Sequence, residues 1–451
     1  MIAFFHVHGN FIIANLIFLL LSIYQNSISL LLPSIQEEIL LGSNDQQWII
    51  NIPFVITTIF MTLLGKITDM CNRMPIVRLS LLSFLLGNSI AALSTTFLPF
   101  FIGRMLQGFG AAVLLPQSYV LIKQGERKAN DTLFSYFMGI TTLFLIVGPG
   151  VAGTICTLLG WRWVFGVGGI LGFFVLLMAI YTPDCKTSEK KITKKIDYLG
   201  ALLMAVLSLS SIFCISALPH AIFLLWGSVA VISLLFLKKH LSTCSWPIMD
   251  VTLFKRASLF VYTMLLCSMQ ITMASTYSVS FALQHIFNLN PAESGILLTI
   301  TIAPSILVSF LSSSIQKRFR TTQIIRTSLI MLILGNLLIG CAGYYHTIHL
   351  LAVSRFIISF FIAILLSVGM TTILNKVPVA QQGTVSSLVY QFREFSNMFC
   401  ITVMHTIAFC SQQSIQIMTG TRFALSMLIP TLSAFVALLF FYKKKDYKTK
   451  Q

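Results

Sequence analysis

Apolar runs of eighteen or more residues recur from end to end of this chain. Wound as a helix rising about 1.5 Å per residue, such a run crosses a ~30 Å hydrocarbon core. Reading the runs against their polar breakers places fourteen spans, centred near residues 22, 58, 85, 111, 145, 171, 208, 230, 272, 304, 335, 362, 397 and 431. A membrane β-barrel would instead alternate apolar and polar residues over segments of about ten, and no such pattern occurs. Only 10% of the residues are charged, where a soluble domain carries about 25%, so the chain has too little polar material to coat a water-facing globule. The expectation is an all-α integral membrane protein with a multi-pass topology.

Net charge is +17, which could suggest nucleic acid as a partner. Placement argues against that, because the basic residues sit in short loops between apolar spans. One set of alternate loops and the tail hold 25 of the 30 lysines and arginines: from Lys66, Arg73 and Arg78 through Lys317, Arg318 and Arg320 to Lys443, Lys444 and Lys445. The opposite face holds Arg162 and Arg422 alone. By the positive-inside rule the basic face is cytoplasmic, and an even number of spans puts both termini there. The longest polar connection, Thr182 to Asp197 with five lysines, reads as a cytoplasmic linker or as a contact with anionic lipid. The first apolar stretch lacks a basic n-region and a cleavage site, so it reads as a retained helix.

Several reaction classes find no footing. Nine cysteines are scattered without a CxxC, so neither a disulfide framework nor a zinc site is readable. The eight histidines form no constellation that a membrane-embedded transferase could use. No phosphate-binding lysine loop occurs, so ATP is not a direct energy source. No catalytic residue, cofactor or metal is expected.

Four strings carry chemistry. Gly65-Lys66-Ile67-Thr68-Asp69, followed by Arg73, lies where span two meets its cytoplasmic loop. There the glycine permits close helix approach and the acid can meet a helix N-terminus or a neighbouring arginine, as a conformational latch. Arg104-Met105-Leu106-Gln107-Gly108-Phe109-Gly110-Ala111-Ala112 places an arginine in span four, an expensive position that is rarely idle. Val147-Gly148-Pro149-Gly150-Val151-Ala152-Gly153 puts Gly148 and Pro149 inside span five, where proline removes a helical hydrogen bond and makes a kink. Gly160-Trp161-Arg162-Trp163-Val164-Phe165 reads as an interfacial anchor.

Together these strings resemble the motifs of the major facilitator superfamily, and their order resembles its fourteen-helix drug:proton antiporter branch. Met70, Asn72 and Met74 depart from the family's loop motif, and Ala152 from its antiporter motif. The resemblance implies two six-helix bundles plus an extra two-helix hairpin: residues 1–182, a linker and hairpin at 183–240, and residues 241–451. It implies a proton-coupled secondary transporter, acting as a monomer in the inner (cytoplasmic) membrane. Such a protein would export drugs or other amphipathic compounds by alternating access, or serve as a facilitator, exporter or importer of one metabolite. Arg355 in the second half echoes Arg104, and Ser359 stands where close packing would want glycine.

The branch often carries an acid in the first span. That register here holds Tyr24, followed by Gln25 and Asn26, which become candidate substrate contacts. Among thirteen acids only Glu394 lies well inside a span, next to Arg393. Glu394 is therefore the candidate coupling carboxylate, with Arg104, Arg355 and Arg393 as its candidate partners. The alternative is a structural Glu–Arg pair inside the bundle.

Overall fold

In a computed structural model the chain is described over residues 2–39, 42–70, 73–123, 130–182, 197–217, 222–244, 247, 257–374, 376–377, 379–409 and 419–448. Those residues are helical with short turns, and no strand occurs among them. In lipid the backbone must satisfy its own hydrogen bonds, which helices do within one segment.

Among the described residues sixteen helices follow in order: α1 (Ile2–Ile39), α2 (Ser43–Met70), α3 (Arg73–Leu93), α4 (Phe97–Lys123), α5 (Asn130–Leu159), α6 (Trp161–Tyr181), α7 (Tyr198–Ser216) and α8 (Phe223–Thr243). Then come α9 (Ala257–His285), α10 (Pro291–Ile302), α11 (Pro304–Arg318), α12 (Thr321–Tyr344), α13 (Ile348–Leu374), α14 (Val379–Phe409), α15 (Gly420–Ser426) and α16 (Leu428–Lys448). Two apolar lengths are broken once each. The stretch Pro291–Val308 contains the α10–α11 break, and Gly420–Tyr442 contains the α15–α16 break. Pro304 opens α11 and lacks the N–H that would continue α10.

Among the described residues ten helical stretches are long and apolar enough to cross a membrane, and eleven with the bent α1 counted as one. This is fewer than the fourteen expected. The shortfall falls on α2, α5 and α14. Gln46, Gln47 and Asn51 load α2, and Gln391, Arg393, Glu394 and Asn397 load α14. In α5 the apolar part described is Ile146–Leu159. Polar content inside a helix lowers its hydropathy whether or not it crosses lipid.

The chain divides into two compact units. The first comprises Met1–Leu209, Val231–Ile248 and Asn290–Ile296. Within it α4 packs on α2 and α3, α3 on α6, and α1 on α5. Its core gathers Ile13, Ile17 and Leu21 of α1 with Phe84, Leu114 and Val175. The second unit comprises Ser210–Ala230, Met249–Leu289 and Leu297–Gln451, where α9 packs on α14 and α12 on α13.

Large apolar side chains also point outward, among them Phe173, Phe174, Leu225, Leu235 and Phe236. In water such patches would drive aggregation; against lipid tails they cost nothing. The α7 and α8 helices pair at both ends: His240 meets Asp197 at 2.7 Å, and Phe213 stacks on Trp226 at 4.6 Å between ring centroids.

Candidate functional site

In the first unit Arg104 is 1% exposed and is the eighth residue of the 27 in α4. It therefore sits toward one end of the helix. Its Nε donates to the Ile49 carbonyl of α2 at 3.2 Å and its Nη1 to Gln107 Oε1 at 2.7 Å. Gln107 Nε2 in turn donates to Asn88 Oδ1 of α3 at 3.1 Å. One arginine thus ties three helices through neutral acceptors, which is how a buried cation is kept in an apolar interior.

The glycines of the same string let those helices touch. A Cβ on Gly108 would lie 2.6 Å from the Pro53 carbonyl oxygen, and one on Gly110 would lie 2.7 Å from that of Ser80. Neither contact leaves room for a side chain.

The Gly148–Gly153 segment packs by backbone too. The helix runs through Pro149. A Cβ on Gly153 would meet the Pro291 carbonyl oxygen at 2.2 Å, and one on Gly295 the Pro149 carbonyl oxygen at 2.4 Å. Thr157 Oγ1 accepts from the Ala292 N–H at 3.0 Å. This string holds α5 flush against the first turn of α10, a closer role than a kink alone.

At the turn into α6, Gly160 adopts φ 92°, a left-handed conformation that costs glycine little. Trp161 is buried, and its Nε1 donates to Glu38 Oε2 at 2.6 Å. Arg162 pairs with Glu38 and donates to the Ser94 carbonyl at 2.8 Å. The pair of tryptophans expected at the membrane interface therefore separates. Trp163 is 51% exposed and suits that role, while Trp161 of α6 joins Glu38 of α1 and Phe100 of α4.

On the basic side Arg78 donates to the carbonyls of Ala179 and Thr182, both at 2.9 Å, closing the C-terminus of α6. The latch residues Gly65, Asp69 and Arg73 have side chains outside the described set, as do Tyr24, Gln25 and Asn26. Thr68, between them, is buried and accepts from Gln117 Nε2 at 2.8 Å.

The second unit holds the other ionisable groups. Glu394 is the middle residue of the thirty-one in α14. The residue as a whole is half-buried, yet its Oε2 is inaccessible and has no hydrogen-bond partner. Arg393, next to it in sequence, makes its hydrogen bond elsewhere. Its Nη2 donates to Gln270 Oε1 of α9 at 2.8 Å, and its guanidinium lies 4.9 Å from the Tyr390 ring centroid. Arg393 Nε and Nη1 are buried and unbonded. Arg355, the eighth residue of the 27 in α13, donates through Nη2 to Thr276 Oγ1 at 2.8 Å, while its Nε is buried and unbonded.

Gln270, Thr276 and Tyr277 all belong to α9, and the Tyr277 hydroxyl is buried without a hydrogen bond. The buried His405 of α14 lies 6.1 Å from Tyr277, ring to ring. Sequence reasoning missed these partners. The signal for them was a run of polar residues, Gln270 to Ser280, inside an otherwise apolar span.

Long apolar helices in two units, with buried arginines and one mid-helix acid, define a polytopic helical transporter. The chain belongs to the Major Facilitator Superfamily, whose family model matches residues 14–254 and 259–451. It is 23% identical over 340 residues to the multidrug efflux pump SdrM of Staphylococcus aureus, covering 73% of this chain and 74% of that one. It is 22% identical to the multidrug transporter protein MdtP of Bacillus subtilis, covering 81% and 69%. An MFS-type transporter of Mycobacterium tuberculosis is 29% identical over 211 residues, and that match covers 45% of this chain and 29% of its relative. A D-xylose-proton symporter superposes with a TM-score of 0.69 at 14% identity, over 96% of this chain and 97% of that one. That likeness establishes the fold.

Proposed function

We propose that this chain is a proton-coupled exporter of small amphipathic compounds, working by alternating access. The observation that carries the coupling is Glu394. It sits at the midpoint of its helix, roughly 22 Å from either end at about 1.5 Å per residue; with α14 read as a span, that would be the depth where transporter sites lie. Its oxygen Oε2 has no standing partner, and the adjacent Arg393 is engaged by Gln270 and Tyr390. A locked Glu–Arg pair would hold its charge. A carboxylate without such a lock can take up a proton on one side and give it up on the other.

The remaining assignments follow from that reading. Fourteen spans, with α1–α6 and α9–α16 as two bundles and α7–α8 as an added hairpin, would put both termini on the cytoplasmic side of the cytoplasmic membrane. The chain would act as a monomer. Gly65, Asp69 and Arg73 would form the latch, the Gly148–Gly153 segment the antiporter-type seam, and Tyr24, Gln25 and Asn26 contacts for substrate.

A second reading draws on the charges inside the helices. In the second unit Arg355 and Arg393 are buried, against Glu394 as the mid-helix acid among its described residues. A unit with that excess of positive charge suits a neutral or anionic solute better than a permanent cation. Transport of one anionic metabolite is therefore the alternative to broad drug export.

Glu394→Gln tests the coupling. In inverted vesicles the variant should lose pH-gradient-driven transport, down to the level of vesicles without the protein. Exchange of labelled substrate in the absence of a gradient should persist. Gradient-driven transport that survives the substitution would rule the proposal out.

A further inference from the structure

Outside the transport layer, one cluster of ligand-type side chains stands at the end of the added hairpin. Asp197 precedes the first residue of α7, and its Oδ1 accepts from the Gly200 N–H at 2.7 Å, as a helix cap does. On α8, buried Ser233 and Leu237 mark the face turned toward α7. His240 and Cys244 continue that face by helical spacing, while Lys238 and Lys239 are exposed and point elsewhere. His240 Nε2 lies 2.7 Å from Asp197 Oδ1. The ligand atoms of Asp197, His240 and Cys244 all fall within 4.8 Å of one another, although the acid is separated from the histidine by 43 positions.

We propose that Asp197, His240 and Cys244 form a binding site for a thiophilic divalent cation of the zinc class, which clamps α7 to α8. An imidazole nitrogen, a thiolate and a carboxylate are ligands that zinc accepts together, whereas magnesium and calcium require oxygen. Thiolate and carboxylate supply two negative charges, which balance a divalent ion with neutral imidazole. Metal–nitrogen and metal–oxygen distances near 2.1 Å, at tetrahedral angles, separate the two ligand atoms by roughly 3.4 Å. The contact between His240 and Asp197, 2.7 Å long, must therefore open by about 0.7 Å, and the cysteine sulfur must close in. Both are side-chain adjustments. His240 and Cys244 are partly exposed, so water can complete the coordination and metal can enter.

Chemically, binding replaces the His240–Asp197 contact by two metal–ligand bonds. A third bond forms to sulfur as the Cys244 thiol releases its proton to solvent. The Gly200 N–H bond to Asp197 would remain as outer-shell support. Nothing in the step needs an oxidant or reductant. The sequence reading found no metal site because His-x3-Cys carries a signal only once α7 brings the carboxylate to it.

The test uses the purified full-length chain in detergent micelles, titrated with Co²⁺ as a spectroscopic probe. The expected result is saturable binding of one ion per chain, with a thiolate-to-cobalt charge-transfer band that Zn²⁺ displaces. Cys244→Ser should abolish the band, and a Cys71→Ser/Cys185→Ser double variant should keep it. His240→Ala and Asp197→Asn should each weaken binding by roughly tenfold or more. Asparagine remains a good N-cap, so the latter change removes the charge without unseating α7. Zn²⁺ should also raise the melting temperature of the native chain and leave that of Cys244→Ser unchanged. A band that persists in Cys244→Ser would overturn the proposal, and so would uptake that never saturates.

Discussion

Arg104-x3-Gly108 in α4 and Arg355-x3-Ser359 in α13 occupy the same register in two helices of equal length, 27 residues each. The surroundings differ. Arg104 spends its donors on a backbone carbonyl and on Gln107, inside a network that reaches α2 and α3. Arg355 has one bond to a threonine hydroxyl, with its Nε buried and unbonded. Gly108 lets the α2 backbone press directly on α4, and the Thr57 hydroxyl donates to its carbonyl at 3.0 Å. Ser359 instead reaches out and donates to the Thr301 carbonyl at 2.7 Å, next to the α10–α11 break.

Around Arg104 the helices are thus fastened by backbone contact and a satisfied polar network. Around Arg355 they are held by side-chain hydrogen bonds, and the charged group keeps an unfilled valence. Buried polar groups left unsatisfied are costly, and where they persist they mark function. The glycines at the α3–α4 and α12–α13 contacts repeat the contrast: an added Cβ on Gly103 would meet the Gly87 carbonyl oxygen at 2.8 Å, whereas one on Gly335 meets the Ile358 side chain at 2.5 Å. A side chain can move aside and a backbone carbonyl cannot.

The largest effect expected from this difference is on Gly108→Val. Its Cβ would fall 2.6 Å from one Pro53 backbone atom and 2.7 Å from another. The α2–α4 contact would have to part, at a cost of roughly 3 kcal/mol or more. Thermal unfolding in detergent should show a large drop, or the protein should fail to accumulate. Gly335→Ala should cost much less, because Ile358 can change rotamer. Equal losses at the two sites would erase the contrast.

Next in size is the pair Arg104→Met and Arg355→Met. The first strands the Ile49 carbonyl and Gln107 Oε1, for about 1–3 kcal/mol. The second strands one threonine hydroxyl, which can rotate to another acceptor, and it removes an unsatisfied Nε–H. Its stability should change by less than about 1 kcal/mol, while its transport rate should fall because a buried charge leaves the unit that holds Glu394. A stable but inactive Arg355→Met, beside an unstable Arg104→Met, would sharpen the division. The reverse pattern in melting temperature and uptake would break it.

Much of this was open to reading from the chain itself. Each of the fourteen expected span centres falls within a helix or, for residue 304, at the head of α11. The apolar run is long enough that boundary errors do not matter. Glu394 stood out for the same reason, since an acid inside such a run has few neighbours of its kind. Distances along the chain hid the rest. Trp161 looks interfacial beside Trp163, and only the fold brings Glu38 and Phe100 to its two sides. The α10–α11 break needed Pro304 to be weighed as a helix breaker inside an apolar run, where proline is often tolerated. The partners of Arg393 and Arg355 lie 123 and 79 residues away, beyond any local pattern.

The smallest predicted effect concerns Ser359→Ala. Its hydroxyl lies 2.7 Å from the Thr301 carbonyl oxygen and 3.0 Å from that of Phe356, one turn back in its own helix. Removing it takes away a single interhelical bond and leaves the methyl group in the space the Cβ already fills. Interhelical hydrogen bonds inside membrane proteins average about 0.6 kcal/mol, because the separated helices also find partners for their polar groups. The expected loss is therefore about 0.6 kcal/mol, a shift in melting temperature of a degree or two for a protein of this size. Ser359→Gly should cost roughly 1 kcal/mol more through helix propensity. If Ser359→Gly were instead stabilising, α13 could close on α10 as α4 closes on α2, and the two halves would differ only in side chains. If Ser359→Ala cost several kcal/mol, that one hydroxyl would be holding the broken helix in place, and the second half would be as tightly fastened as the first.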